Sequence, residues 1–129
     1  MMDCFVYLIC HEGRRQPVKV GISRSVEGRL GSLQTGNPHK LEVIFTFWTP
    51  DFHLAKEVES TFHENNADSR MSGEWFALEP DMALAKLVGC FAAILQRDLG
   101  HDQAALEAAL SASGATEAAA LVRPKRGLH

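Results

Sequence analysis

The run "CFVYLIC", residues 4–10, constrains the fold more than any other stretch of the chain. Seven consecutive apolar residues are far too few to cross a bilayer, and they do not alternate. The run is short enough for a strand, and as a strand it is one covered on both faces. "HEGRRQP" follows as a turn, and "VKVGIS" alternates, with Val18, Val20 and Ile22 on one side and Lys19, Gly21 and Ser23 on the other. The two segments read as a β-hairpin. A turn centred on Gly13 would set Tyr7 opposite Lys19.

The remaining segments continue the pattern. Ser25 is a good N-cap for a helix that runs to about Gln34, where "TGNP" stops it. Val26, Leu30 and Leu33 form its apolar stripe, and Arg29 projects about 40° from Leu33 at roughly 100° per residue. "LEVIFTFW" reads as a third strand. "PDFHLAKEVESTFHENN" reads as a second helix with Ala55, Val58 and Phe62 inward, Glu59 beside that stripe and His63 one turn on. "SGEWFAL" is a turn and a short strand. From Pro80 to Asp98 an amphipathic helix presents Leu84, Leu87, Val88, Phe91 and Leu95. The predicted class is α+β. It places a core in residues 1–78, a packed helix in 79–100, and an alanine-rich marginal helix with a basic, mobile tail in 101–129. The apolar stripe of the 80–98 helix could serve either that core or a homodimer.

Composition narrows the class of partner. The 129 residues carry a net charge of -3, which on its own argues against a polyanion. The charges are polarised, however. Residues 10–40 hold six basic and two acidic side chains, whereas residues 79–122 hold six acidic and two basic. One basic face remains available to a nucleic acid. Cys4, Cys10 and Cys90 lie in apolar runs without a CxxC pair, which predicts reduced core thiols and a cytoplasmic protein. No apolar run is long enough for a membrane span, and "MMDCFVYLIC" lacks a basic leader.

Taken in order, "FVYLI", "VKVGIS", "RSVEGRLGSLQTGNP", "AKEVESTFH" and "GEWFAL" resemble the GIY-YIG endonucleases, specifically their small phage and bacterial branch. The resemblance covers about residues 4–78. It implies a small three-stranded antiparallel sheet flanked by helices, and DNA cleavage with a single divalent ion, Mg²⁺ or Mn²⁺. Tyr7 falls on the tyrosine of the first half-motif, with Phe5-Val6 where Gly-Ile is usual, and Gly21 falls on the glycine of the second. Arg29 matches the helix arginine and Glu59 the metal-binding glutamate. Lys19 replaces the second tyrosine, and Leu33 stands where many homing enzymes carry a histidine, a role that His63 could take over. The resemblance thus implies Tyr7, Lys19, Arg29 and Glu59 as the catalytic group. Gly21, Arg24, Gln34 and His63 are the expected substrate contacts, and DNA is the expected partner, with specificity either poor or supplied by a separate targeting partner.

The same residues suit the chemistry on their own terms. Hydrolysing a phosphodiester needs a deprotonated nucleophile, a neutralised phosphate and help for the leaving oxygen. An ammonium beside the Tyr7 phenol would favour its anion, which Lys19 across the hairpin is placed to do. Arg29 offers a planar fork to the phosphate oxygens. Gly21 leaves room for backbone approach, and Glu59 suits a hard ion that keeps most of its waters. Singly, each residue has an ordinary reading: Tyr7 as a core aromatic, Arg29 as a surface charge, Glu59 as a solvated partner of Lys56 or Arg29, His63 as packing. Their joint order favours the nuclease. Two other functions stay open on sequence: a non-catalytic nucleic-acid-binding module on the same scaffold, and a dimerising interaction domain.

Overall fold

The structure is a computed structural model and describes residues 3–13 and 16–115; the basic tail expected at the C-terminus lies outside them. Its strands are β1 (Cys4–His11), β2 (Val18–Ser23), β3 (Leu41–Thr49) and the two-residue β4 (Trp75–Phe76). Its helices are α1 (Val26–Gln34), α2 (Phe52–Asn65), α3 (Pro80–Leu99) and α4 (Gln103–Ser113). The strands form one antiparallel sheet in the order β3-β1-β2-β4, so the predicted three-stranded sheet is present with a short fourth strand at its edge.

β1 occupies an inner position because its apolar run can be covered on both sides. Val6, Leu8, Val18, Val20 and Phe47 face α2, α3 and α4, where Val58, Phe62, Leu87 and Phe91 complete the main core. Tyr7, Ile9 and Leu41 face the other way, beneath Val26, Leu30 and Leu33 of α1. The β3 segment does not alternate strictly, and a bulge explains why. Leu8 pairs with Phe45 but Ile9 pairs with Val43, which leaves Ile44 as the extra residue. That insertion turns Phe45 and Phe47 to the main core and Leu41 and Val43 to the α1 face.

The hairpin register departs from expectation. Tyr7 pairs with Gly21, and it is Ile9 that pairs with Lys19. The turn is centred one residue later than Gly13, on position 14, which moves every partner by two. A two-residue shift preserves the face, so Tyr7 and Lys19 become diagonal neighbours on the α1 side instead of direct partners.

Local chemistry sets the helix ends. The Ser25 Oγ accepts from the Gly28 N–H at 3.2 Å and caps α1. Asp51 does the same for α2, accepting from the Leu54 N–H at 2.9 Å. Gln34 closes α1 by tying down the loop to β3. Its amide nitrogen donates to the carbonyls of Asn37 and His39, and its oxygen accepts from the Leu41 N–H at 2.8 Å. The stripe of α3 packs within the chain: Leu84, Leu87, Phe91 and Leu95 are buried in the main core, and Val88 packs against it. The alanine-rich segment is helical as α4, anchored through buried Leu106. Cys4, Cys10 and Cys90 are buried and form no disulfide among the described residues.

Candidate active site

The site lies along the outer edge of β2. Because β4 pairs only with Val18 and Lys19, the edge is open from Gly21 onward. The Val20 backbone is held there from outside the ladder. Its N–H donates to the Glu74 carbonyl at 3.2 Å, and its carbonyl accepts from His63 Nε2 at 3.0 Å. The second bond lays α2 across this edge and brings Glu59, one turn before His63, alongside it. Donation from Nε2 also sets the tautomer, so a neutral His63 keeps its lone pair on Nδ1. Phe62 and Phe76 pack against the same imidazole, which makes His63 both a packing residue and a site residue.

Tyr7, only 1% exposed, approaches from the α1 face. Its ring lies over Gly21: a Cβ there would stand 2.4 Å from the Tyr7 hydroxyl and 2.9 Å from Glu74 Oε1. Glycine is therefore required for the reason of close approach, but the space it opens holds the phenol and a carboxylate of this chain, where a substrate backbone was expected. Among the described residues the Tyr7 hydroxyl has no hydrogen-bond partner.

Glu74 joins the elements. Its Oε1 is 3.3 Å from Lys19 Nζ, and Lys19 also lies against the Trp75 ring. Glu59, Glu74 and His63 each offer one donor atom, and these atoms lie within 4.8 Å of one another. Two carboxylate oxygens and an imidazole nitrogen are a donor set that fits a divalent cation. Glu59 is 3% exposed, so the solvated-helix reading fails for it, although the Lys56 ion pair is present at 3.1 Å. Burial raises the Glu59 carboxyl above its usual range; Lys56 opposes that rise and the neighbouring Glu74 adds to it. Like charge is thus gathered at a place where a cation would relieve it.

The phenol does not behave as its neighbours on sequence implied. Burial, then the Glu74 carboxylate, pushes the Tyr7 pKa up to about 12; Arg29 pulls it down, and Glu59 pushes the same way as Glu74. The cation that favours the Tyr7 anion is accordingly Arg29, whereas Lys19 is engaged by Glu74. Forming the phenolate at pH 7 costs roughly 7 kcal/mol at 1.36 kcal/mol per unit.

Tyr7 and Lys19 reach this edge from one face and Glu59 from the helix behind the other, while Arg29, on the helix covering the first face, is near enough to act on Tyr7 through its charge. Arg29 and Arg24 are exposed and form no ion pair among the described residues. Arg24 follows the end of β2, close enough to Cys4 to favour its thiolate, although burial leaves that thiol raised. Gln34 stands apart, its amide committed to the α1–β3 loop. Glu74 is the member of this cluster that sequence reasoning did not assign to the site. The available signal was its place in "GEWF", but its reach to Lys19 depends on the pairing of Trp75 with Lys19, which spacing does not reveal.

Compared with known proteins, residues 4–93 match the family model of the T5orf172 domain. The match passes residue 78 and takes in much of α3, so the family unit is longer than the segment carrying the motif resemblance. No curated protein and no solved structure matches the chain.

Proposed function

The chain belongs to the T5orf172 domain family, a phage-associated domain related to nuclease-like folds, and from that premise we propose that it is a divalent-metal-dependent DNA endonuclease of the GIY-YIG type. One observation carries the reading. A phenol, an ammonium and a carboxylate–imidazole cluster, drawn from both sides of a sheet, meet at its partly paired edge, with the Arg29 charge close enough to favour the phenolate.

In this reading Glu59, Glu74 and His63 would hold the ion, Mg²⁺ or Mn²⁺, and the chemistry it would supply there is neutralisation of phosphate charge and acidification of a water. The exposed Arg29 fork takes the non-bridging phosphate oxygens, with Arg24 as a second cation on the approaching strand. Tyr7 Oη handles the proton. Neutralising Glu74 and Glu59 removes two of the causes that hold its pKa near 12, and Arg29 already favours the anion. Lys19, once released from Glu74, orients the phosphate. Plasmid nicking in Mg²⁺ or Mn²⁺ tests the assignment. Glu59→Ala and Arg29→Ala are each expected to lower the rate by at least about 100-fold, on the scale of losing a charge-stabilising group. Wild-type rates in both variants would remove the assignment.

The second reading is a nucleic-acid-binding module without catalysis. It draws on the engagement of Lys19 by Glu74 and on the high Tyr7 pKa, both of which work against a phenolate base. Salt-dependent DNA binding without nicking under any divalent ion would favour it.

A further inference from the structure

Two lysines neutralise the two carboxylates at the edge, and they are not equivalent. Lys56 is exposed and pairs with Glu59, whereas Lys19 is buried and pairs with Glu74. Among the described residues Glu74 is the one ion-pair partner of Lys19. A buried ammonium left without an anion is costly, so Lys19 holds one at all times. Glu74 Oε1 fills that role and lies with the Tyr7 hydroxyl above Gly21. Any phosphate oxygen shared by Lys19 and Tyr7 would have to occupy the same place. Glu74 is also one of the three donors that could hold a cation with Glu59 and His63.

From this geometry, and resting on the nuclease reading above, we infer that Glu74 is a positioning residue that couples divalent-ion binding to phosphodiester binding. Without an ion its carboxylate occupies Lys19 and keeps phosphate away. When Glu74 turns to the ion, Lys19 is left to the phosphate. Linkage makes the effect reciprocal, so DNA must also tighten the ion. A dedicated Glu–Lys pair, instead of a permanently free lysine, also keeps the buried ammonium compensated in both states.

Binding of a labelled DNA duplex, followed by anisotropy in EDTA and in Ca²⁺, tests this without relying on cleavage. Wild type is expected to bind roughly tenfold more tightly in Ca²⁺ than in EDTA, on the scale of one charge-assisted contact. Glu74→Gln, which keeps an oxygen for the ammonium, should already bind roughly tenfold more tightly than wild type in EDTA and gain little from Ca²⁺. Adding Lys19→Met to that variant should cancel the gain. Glu27→Gln makes the same charge change at an exposed position of α1 and should move affinity far less. Thermal melts establish that each variant is folded, and Lys19→Met alone should lose the response to Ca²⁺ if Glu74→Gln proves unstable. If Glu74→Gln binds no more tightly than wild type in EDTA and responds to Ca²⁺ as wild type does, the coupling is overturned while the nuclease reading stands. If wild type binds no DNA with or without the ion, both fall together.

Discussion

On one face of the sheet, Phe47, Phe62, Phe76 and Phe91 lie buried beneath helices α2, α3 and α4; on the other, Tyr7, Ile9 and Leu41 lie beneath a nine-residue α1 with no fully buried residue. The first side is a conventional dry core that supplies most of the apolar burial. The second is thin, and α1 is held as much by the Ser25 cap and the Gln34 loop ties as by its stripe. The polar groups of the candidate site come from the thin side and the sheet edge, with Glu59 and His63 reaching that edge from α2. The contrast suggests a division of labour. A strong core on one side tolerates a crowded, charge-rich edge that contributes little to stability and costs some.

The contrast can be broken most forcefully through the cores themselves. Phe91→Ala, deep in the thick side and away from the site, should lower the unfolding free energy by about 3–5 kcal/mol in urea titrations. Leu30→Ala, at a half-buried position on the inner side of α1, should cost only about 1–2 kcal/mol. Equal losses would erase the difference between the faces. A smaller effect than at Phe91 is expected at the edge. Gly21→Ala sets a methyl 2.4 Å from a phenol that has no room to retreat, so it should cost about 1–3 kcal/mol of stability. Under the proposed function nicking should fall about 100-fold, because the displaced hydroxyl is out of line. Full nicking activity in a folded Gly21→Ala protein would show that the phenol need not stay where it is.

The smallest effect has the opposite sign. Burial raises the Glu59 carboxyl, so the folded state favours its protonated form. The stability this contributes is complete below the ordinary carboxyl pKa near 4.5 and is lost as pH rises through the raised native value. Glu59→Gln escapes that loss. In metal-free buffer at pH 7 it should be more stable than wild type by on the order of 1 kcal/mol, and the gap should close below pH 4.5. Melting curves across that pH range decide the point. A variant less stable than wild type at pH 7 would mean that the Lys56 ion pair outweighs the burial of Glu59.

Much of this architecture is written in local patterns. The continuous run in β1, the alternation in β2, Ser25 before α1 and the stripes of α2 and α3 all act over a few residues, and the elements formed where those patterns place them. Tyr7 and Lys19 share a face because alternation depends only on parity, which the two-residue slip in the hairpin left intact. That slip was not legible, because turn geometry depends on backbone dihedrals that "HEGRRQP" does not specify on its own. The partner of Lys19 and the pKa of Tyr7 were hidden for the same reason. The first follows from Glu74, and the second from burial of the phenol and then from the same Glu74 carboxylate, which arrives beside them only when β4 pairs with β2. Residue type and spacing thus determined which chemical groups this protein brings to one place. Tertiary packing decided which of them touch, since electrostatic coupling depends on distance and burial, and neither is set until distant segments of the chain meet.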